Sequence, residues 1–254
     1  MNDKIIDIIH RAGDIVLSAK CEQNDISSKV GEANFVTVYD LKVQNFLKEN
    51  ILKILPDATF LAEEDETEKY ILSNLTVVID PIDGTTNFIK GYNHSCISVG
   101  ILQDGIPMSG YVYNPYTNET FTAEIGKGAY LNGKRIHISD CGLDNALISF
   151  GTSPYYAELY RKTMNTIDKI FAKIADIRRS GSAALDLCYV AAGRTELYFE
   201  YLLSPWDFAA GALIVKEAGG IIVTDSFDEI SFDKKSPIIA GSKKAVEDFK
   251  NLIN

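Results

Sequence analysis

The sequence predicts an antiparallel-rich α+β first half layered against a mixed α/β second half. Three observations point there. Two early stretches carry apolar residues at helical spacing. Turn signals then cut a β-rich stretch into short strands. Beyond Asn145, strand-like and helical runs alternate.

Taken in order, Ile5, Ile8, Ile9, Ala12, Val16 and Leu17 predict a first amphipathic helix. A second spans roughly Asp40 to Leu55, with Leu41, Phe46, Leu47, Ile51 and Leu55 inward and Pro56 stopping it. Thr76 to Ile79 reads as a buried strand. From Cys96 to His137 short strands are punctuated by Asp104-Gly105, Asn114-Pro115 and Asn132-Gly133. The second half predicts a strand at Leu147–Phe150, a helix at about Tyr155–Lys173 and a small-residue helix at Ala183–Ala192. A strand at Glu196–Tyr201 follows, then a helix at Trp206–Ala218 ended by Gly219-Gly220. A last strand, Pro237–Ala240, leads into a terminal helix. Without repeats or a flexible linker, 1–254 reads as one domain of two packed halves, about 1–142 and 143–254, with the seam near Asp140 to Asn145.

A chain of 254 residues, 46% hydrophobic and 24% charged, buries enough surface to need no staple. Any metal is then expected to serve chemistry. The four cysteines, Cys21, Cys96, Cys141 and Cys188, are scattered without a C-x-x-C pair and read as reduced thiols of a cytoplasmic protein. Met1 to Lys4 runs into an amphipathic pattern with no signal-peptide core, and no apolar run suits a membrane span. The sequons at Asn74, Asn93 and Asn118 are therefore taken as chance. A net charge of −10 with no basic block argues against nucleic acid as a partner. It also means that an anion-processing site here would carry its own cations.

The sharpest local signal runs from Asp80 through Pro81, Ile82, Asp83, Gly84, Thr85, Thr86 and Asn87 to Phe88, at the end of the buried strand. Pro81 pushes Asp80 toward extended geometry and Gly84 permits a sharp turn, so both carboxylates and the Ile82 carbonyl can meet at one point. The N–H groups that follow form a natural phosphate seat. The ordinary alternative is an Asp-rich turn before a capped helix. Further acids stand at Glu63, Glu64, Asp207 and Asp40. Each also has an ordinary reading, as a solvated acidic face, a dipole-favoured helix start or a helix N-cap. Two carboxylates about 4 Å apart repel by about 4 kcal/mol at an effective dielectric of about 20, so a converging cluster would take up protons or cations. Oxygen donors without His or Cys favour Mg2+ or Mn2+ over zinc. His10, His94 and His137 lack ligand spacing. Gly128 to Lys134 fits most of a nucleotide-binding P-loop, but Arg135 replaces the required Ser or Thr, and Ile136 to Ile138 read as strand; it is a hairpin.

Together, Glu63-Glu64, Asp80 through Phe88, Trp206-Asp207-Phe208-Ala209-Ala210 and Gly219-Gly220 resemble the paired motifs of the inositol monophosphatase family of magnesium-dependent, lithium-sensitive phosphatases. The resemblance implies a layered α-β-α-β-α sandwich, often dimeric, that hydrolyses a small phosphate monoester with two or three Mg2+. It implies that Glu63, Asp80 and the Ile82 carbonyl hold one ion, that Asp80, Asp83 and Asp207 hold another, and that Glu63 reaches a weaker third. Thr85 with Glu63 would orient the attacking water, and Asp40 would support Thr85. The Gly84 and Thr85 amides would bind phosphate, Gly181, Ser182 and Ala183 would line the pocket, and Glu200 would bond sugar or inositol hydroxyls. Lys29 falls where the family has a loop closing over the metals. Ala62 and Asp65 depart from the family's usual Gly and Ser or Thr, without removing a ligand, and Gly151 to Pro154 do not align.

Inositol monophosphate is the expected substrate, because Thr86-Asn87-Phe88 follow Asp-Gly-Thr. Fructose bisphosphate and other sugar or nucleotide phosphates are the alternative. An aspartyl-phosphate enzyme is disfavoured, since its two acids would stand two apart and here they stand three apart around Pro81. A non-enzymatic RNA- or protein-binding role would be signalled by a lost ligand, and none is lost.

Overall fold

The computed structural model describes residues 2–19, 26–28, 35–65, 72–154 and 156–253. Lys29 lies outside them. Two sheets organise the molecule. The first has seven strands in the order β3-β4-β5-β6-β7-β8-β9: β3 (Thr59–Ala62), β4 (Leu75–Asp83), β5 (Cys96–Gln103), β6 (Ile106–Asn114), β7 (Glu119–Glu124), β8 (Gly128–Leu131) and β9 (Lys134–Ile136). It is antiparallel except where β3 runs parallel to β4. The second, of five strands, is ordered β11-β10-β12-β14-β13 and comprises β10 (Leu147–Phe150), β11 (Asp176–Arg178), β12 (Leu197–Leu203), β13 (Ile221–Val223) and β14 (Ser236–Gly241). A short pair, β1 (Ile26–Ser28) and β2 (Phe35–Thr37), leads into the second helix.

The helices fill three layers around these sheets. The first core cluster packs α1 (Asn2–Ser18) and α2 (Val38–Leu52) on one face of the large sheet through Ile5, Ile9, Val43, Leu47, Val77, Ile79 and Val99. Between the sheets lie α5 (Ala183–Ala191) and α6 (Pro205–Glu217), with Leu187, Phe208 and Ala210 packed among Val78, Val112, Tyr198 and Ile238. The outer layer, α4 (Ala157–Ile170) and α7 (Lys243–Ile253), covers the small sheet through Ile148, Ile170, Phe199, Val246 and Phe249. Alternate residues of β4 and β12 therefore serve different cores, as the two-residue period of a strand requires. The result is the α-β-α-β-α sandwich.

Close approach of α6 to the large sheet depends on two glycines. A Cβ on Gly110 would stand 2.7 Å from the Ala210 carbonyl, and one on Gly100 would stand 3.2 Å from the Ala209 Cβ. The expected hairpin at Asn132-Gly133 joins β8 to β9, and both turn residues have positive φ, 49° and 75°.

Several elements differ from expectation at their edges. Helix α2 starts two residues early, because Thr37 is its N-cap and Asp40 closes a capping box from the third helical position. Leu41, expected inward, is 45% exposed, and Val43 takes the core position. Strands β3, β11 and β13 and the one-turn helix α3 (Thr85–Ile89) are too short to show a period.

Candidate active site

Strand β4 delivers the central carboxylates. Its pairing with β5 is regular up to Asp80↔Ser98 and then shifts before Asp83↔Cys96, so the Pro81-Ile82 step re-aims the chain. Gly84, at φ 93°, caps α3 in the left-handed region, and a Cβ there would stand 3.1 Å from the carbonyls of both Gly181 and His94. Parallel pairing of Ala62 with Ile79 sets Glu63 at the end of β3 beside Asp80, with the Glu63 N–H donating to the Ile79 carbonyl at 3.1 Å. Asp207 arrives from the N-terminus of α6, where its Oδ2 accepts the Ser204 N–H at 2.7 Å in a capping box.

These acids line one cleft of about 600 Å³, together with Ile82, Gly84, Thr85, Gly181, Ser182, Ala183 and Glu200. Asp40 sits behind it, fully buried, with Oδ2 accepting from the Thr37 N–H at 2.8 Å and the Thr37 hydroxyl at 2.6 Å. Its Oδ1 stands 3.3 Å from the Thr85 hydroxyl, which is also 3.2 Å from the Ile82 carbonyl. Asp83 Oδ2 accepts from the Ser182 hydroxyl at 2.6 Å and the Ala184 N–H at 2.7 Å. The Ser182 side chain is thus committed to Asp83. Of the neighbouring acids, Asp65 pairs with Lys48 and bonds Gln44, so it faces away from the cluster toward α2.

Charge in the cleft is unbalanced. Burial, then the charges of Glu63, Asp83, Asp207 and Asp40, push the Asp80 pKa well above the usual carboxylate range. Burial, then Asp83 and Glu63, raise Asp207 in the same way. For Asp83 burial outweighs the hydrogen bonds from Ser182 and Ala184, and its pKa stands at about 6. A cluster of this kind calls for cations or protons.

The donor chemistry fits a hard divalent cation, since carboxylates and one carbonyl surround the spot. Among the described residues no three acids yet stand in a ready-made metal-binding group. Each central acid turns one oxygen to a local donor: Asp80 Oδ1 to the Ile82 N–H at 3.1 Å, Asp83 Oδ2 to Ser182 and Ala184, Asp207 Oδ2 to Ser204. The fit is therefore one of donor type and charge.

Glu200, which lines the same cleft, lies inside β12. Its Oε1 accepts the Ser153 N–H at 2.9 Å and its Oε2 accepts the Tyr198 hydroxyl at 2.7 Å. Burial is the main cause of its raised pKa. Arg179 and Lys235 also line this cleft, as does Asp186, whose carboxylate accepts the Ser180 hydroxyl at 2.6 Å. The sequence reading missed Gly151, Ser153, Arg179, Asp186 and Tyr198. Tyr198 had a signal, standing two residues before Glu200 and so on the same strand face.

Comparison with known proteins agrees with this architecture. The profile of the "Inositol monophosphatase family" matches residues 3–252. The "Nus factor SuhB" of Escherichia coli (strain K12) is 42% identical over 87% of this chain and 83% of its own length. "Inositol monophosphatase 2" of Solanum lycopersicum is 36% identical over 99% of this chain and 97% of its own length. The crystal structure of the extragenic suppressor protein suhB from Bartonella henselae superimposes with a TM-score of 0.90 at 32% identity, covering 99% of this chain and 97% of that one. No helix among the described residues is long and apolar enough to cross a membrane. On its sequence and its fold, the chain belongs to the inositol monophosphatase family.

Proposed function

We propose that this chain hydrolyses a small phosphate monoester, with inositol monophosphate as the preferred substrate, by direct attack of water. The observation that carries the reading is a single cleft lined by Glu63, Asp80, Asp83 and Asp207 and also by Glu200. Membership of the family and the name of the tomato relative support the substrate class.

In this reading Glu63, Asp80 and the Ile82 carbonyl would hold one Mg2+, Asp80, Asp83 and Asp207 would hold a second, and Glu63 would reach a weaker third. When bound, magnesium supplies the positive charge that offsets the acids and draws charge from the phosphate oxygens. The chain's own residues do the rest. The Thr85 hydroxyl donates its hydrogen bond to Asp40 or to the Ile82 carbonyl, which leaves its oxygen lone pairs to accept a hydrogen bond from water. Glu63 accepts the other hydrogen, so the water's lone pair faces phosphorus. The Gly84 and Thr85 amides bind the phosphate, and Glu200 accepts a hydroxyl of the alcohol portion. Oxygen from water bonds phosphorus as one of its protons passes to Glu63, the bond from phosphorus to the ester oxygen breaks with its electron pair on that oxygen, and a proton from solvent, balanced by the one Glu63 gives back, completes the departing alcohol.

Phosphate release from a panel of inositol, hexose and nucleotide phosphates, each with and without magnesium, tests the proposal. Inositol monophosphate is expected to give the highest kcat/KM, with inhibition by lithium at tens of millimolar. A preference for fructose bisphosphate would move the chain to another branch of substrates. Absence of turnover on every ester would favour a non-enzymatic role, consistent with the name of the bacterial relatives.

A further inference from the structure

We infer that Tyr198, together with the Gly151–Ser153 turn, is the positioning clamp that gives Glu200 its selectivity for one hydroxyl of the substrate alcohol. The inference rests on the proposed reading of Glu200 as the contact to that alcohol.

The clamp is built from two adjacent strands. Tyr198 and Glu200 are two residues apart on β12, the central strand of the small sheet, and so share its inner face. Tyr198 is fully buried, and its backbone is paired on both sides, with Ser149 and with Ala240. Its hydroxyl donates to Glu200 Oε2 at 2.7 Å. The hydroxyl bonds Glu200 although Asp186 is nearby, and Asp186 Oδ2 accepts the Ser180 hydroxyl at 2.6 Å.

The second jaw follows β10. A Cβ on Gly151 would stand 1.8 Å from Glu200 Oε2 and 2.0 Å from its Cδ, so the carboxylate occupies the space any other residue would fill. Gly151 is fixed in turn by its N–H donating to the Phe199 carbonyl at 3.0 Å. Ser153 is held at φ 42°, unusual for a residue with a side chain, and from there its N–H donates to Glu200 Oε1 at 2.9 Å. Its hydroxyl stands 3.3 Å from the same oxygen.

Counting acceptor positions gives the consequence. A carboxylate oxygen accepts about two hydrogen bonds. The Ser153 N–H fills one position of Oε1, its hydroxyl stands between that oxygen at 3.3 Å and the Leu202 carbonyl at 3.4 Å, and Tyr198 fills one position of Oε2. These bonds leave Oε2, on a residue that lines the cleft, with capacity for a further donor. Glu200 is therefore held before substrate arrives, with Oε2 able to accept a hydroxyl donor, which lowers the ordering cost of binding.

The readout is a selectivity ratio: kcat/KM for myo-inositol 1-phosphate over kcat/KM for p-nitrophenyl phosphate, which has no hydroxyl to offer Glu200. Measurements use the full chain with saturating magnesium. Tyr198→Phe and Gly151→Ala are each expected to lower the ratio by roughly ten- to a hundredfold, the scale of one lost hydrogen bond to a charged group. The loss should fall mainly in KM for the inositol ester. In a Glu200→Gln background, Tyr198→Phe should add less than about twofold, because its effect passes through that carboxylate. Tyr198→Phe and Gly151→Ala both leaving the ratio intact, or Tyr198→Phe multiplying fully with Glu200→Gln, would overturn the clamp. If Glu200→Gln alone leaves the ratio unchanged, the reading of Glu200 itself is wrong, and the clamp falls with it. Gly151→Ala removes no core side chain, so it tests the same carboxylate by a separate route.

Discussion

Thr85 shows most plainly how single atoms set the proposed chemistry. Its hydroxyl has two acceptors within reach, Asp40 and the Ile82 carbonyl, so it cannot spend its proton on the nucleophile and serves it only as an acceptor. Thr85→Ala is expected to lower kcat by about 10²–10⁴, the usual range for a residue that handles a proton in the transition state, with little change in KM. An unchanged kcat would remove Thr85 from the mechanism. Asp80→Asn should reduce turnover by roughly a thousandfold or more, since it takes away a central charge of the site. The acids also bear on the intermediate. Asp80 and Asp83 are both read as ligands, so neither is free to attack phosphorus. Acid-quenched enzyme sampled during turnover should carry no phosphoryl group; one trapped on either residue would contradict direct attack.

Among the elements, α6 matters most, because it carries Asp207 and sits between both sheets. Its seat on the large sheet is set by Gly110, whose missing side chain lets the Ala210 backbone approach. Gly110→Ala should cost about 1–3 kcal/mol by overpacking and should weaken magnesium binding by shifting Asp207. Denaturant unfolding and metal titration of the variant check the two effects separately. Loss of stability with unchanged metal affinity would mean that the helix start is held independently, by Ser204 and its capping box. The elements also show how far the sequence could be read. Long periodic stretches such as α1, β4 and α6 were legible, and so was the Asp80–Phe88 motif, because the turn after a buried strand constrains where its acids go. Strands β3, β11 and β13 were not, since three or four residues show no period and are fixed by pairing with distant partners. The clamp on Glu200 was hidden for a similar reason. Ser153 and Glu200 meet only because β10 and β12 lie side by side in a parallel pair.

For the molecule as a whole, the acid cluster ties stability to pH and to magnesium. The Asp83 pKa is raised from 3.8 to about 6 on folding, so the folded chain binds more protons than the unfolded one across that window. Stability without metal should therefore fall as pH rises from about 4 to about 6, and the penalty should persist above it. Asp80 and Asp207, both raised by burial and then by neighbouring acids including Glu63 and Asp83, act in the same direction. In the proposed reading magnesium would bind the ionised acids and so stabilise the fold that holds them. The gain in Tm on adding magnesium should thus be larger at about pH 7.5 than at about pH 5. An equal gain at both would mean that the ion binds elsewhere.

The most direct test follows phosphate release from inositol monophosphate while magnesium is titrated into protein stripped with chelator. The account predicts negligible release before magnesium is added, a saturable rise as it is supplied, and no such rise in Asp80→Asn over the same range. Full release by the stripped wild-type protein in excess chelator would contradict it.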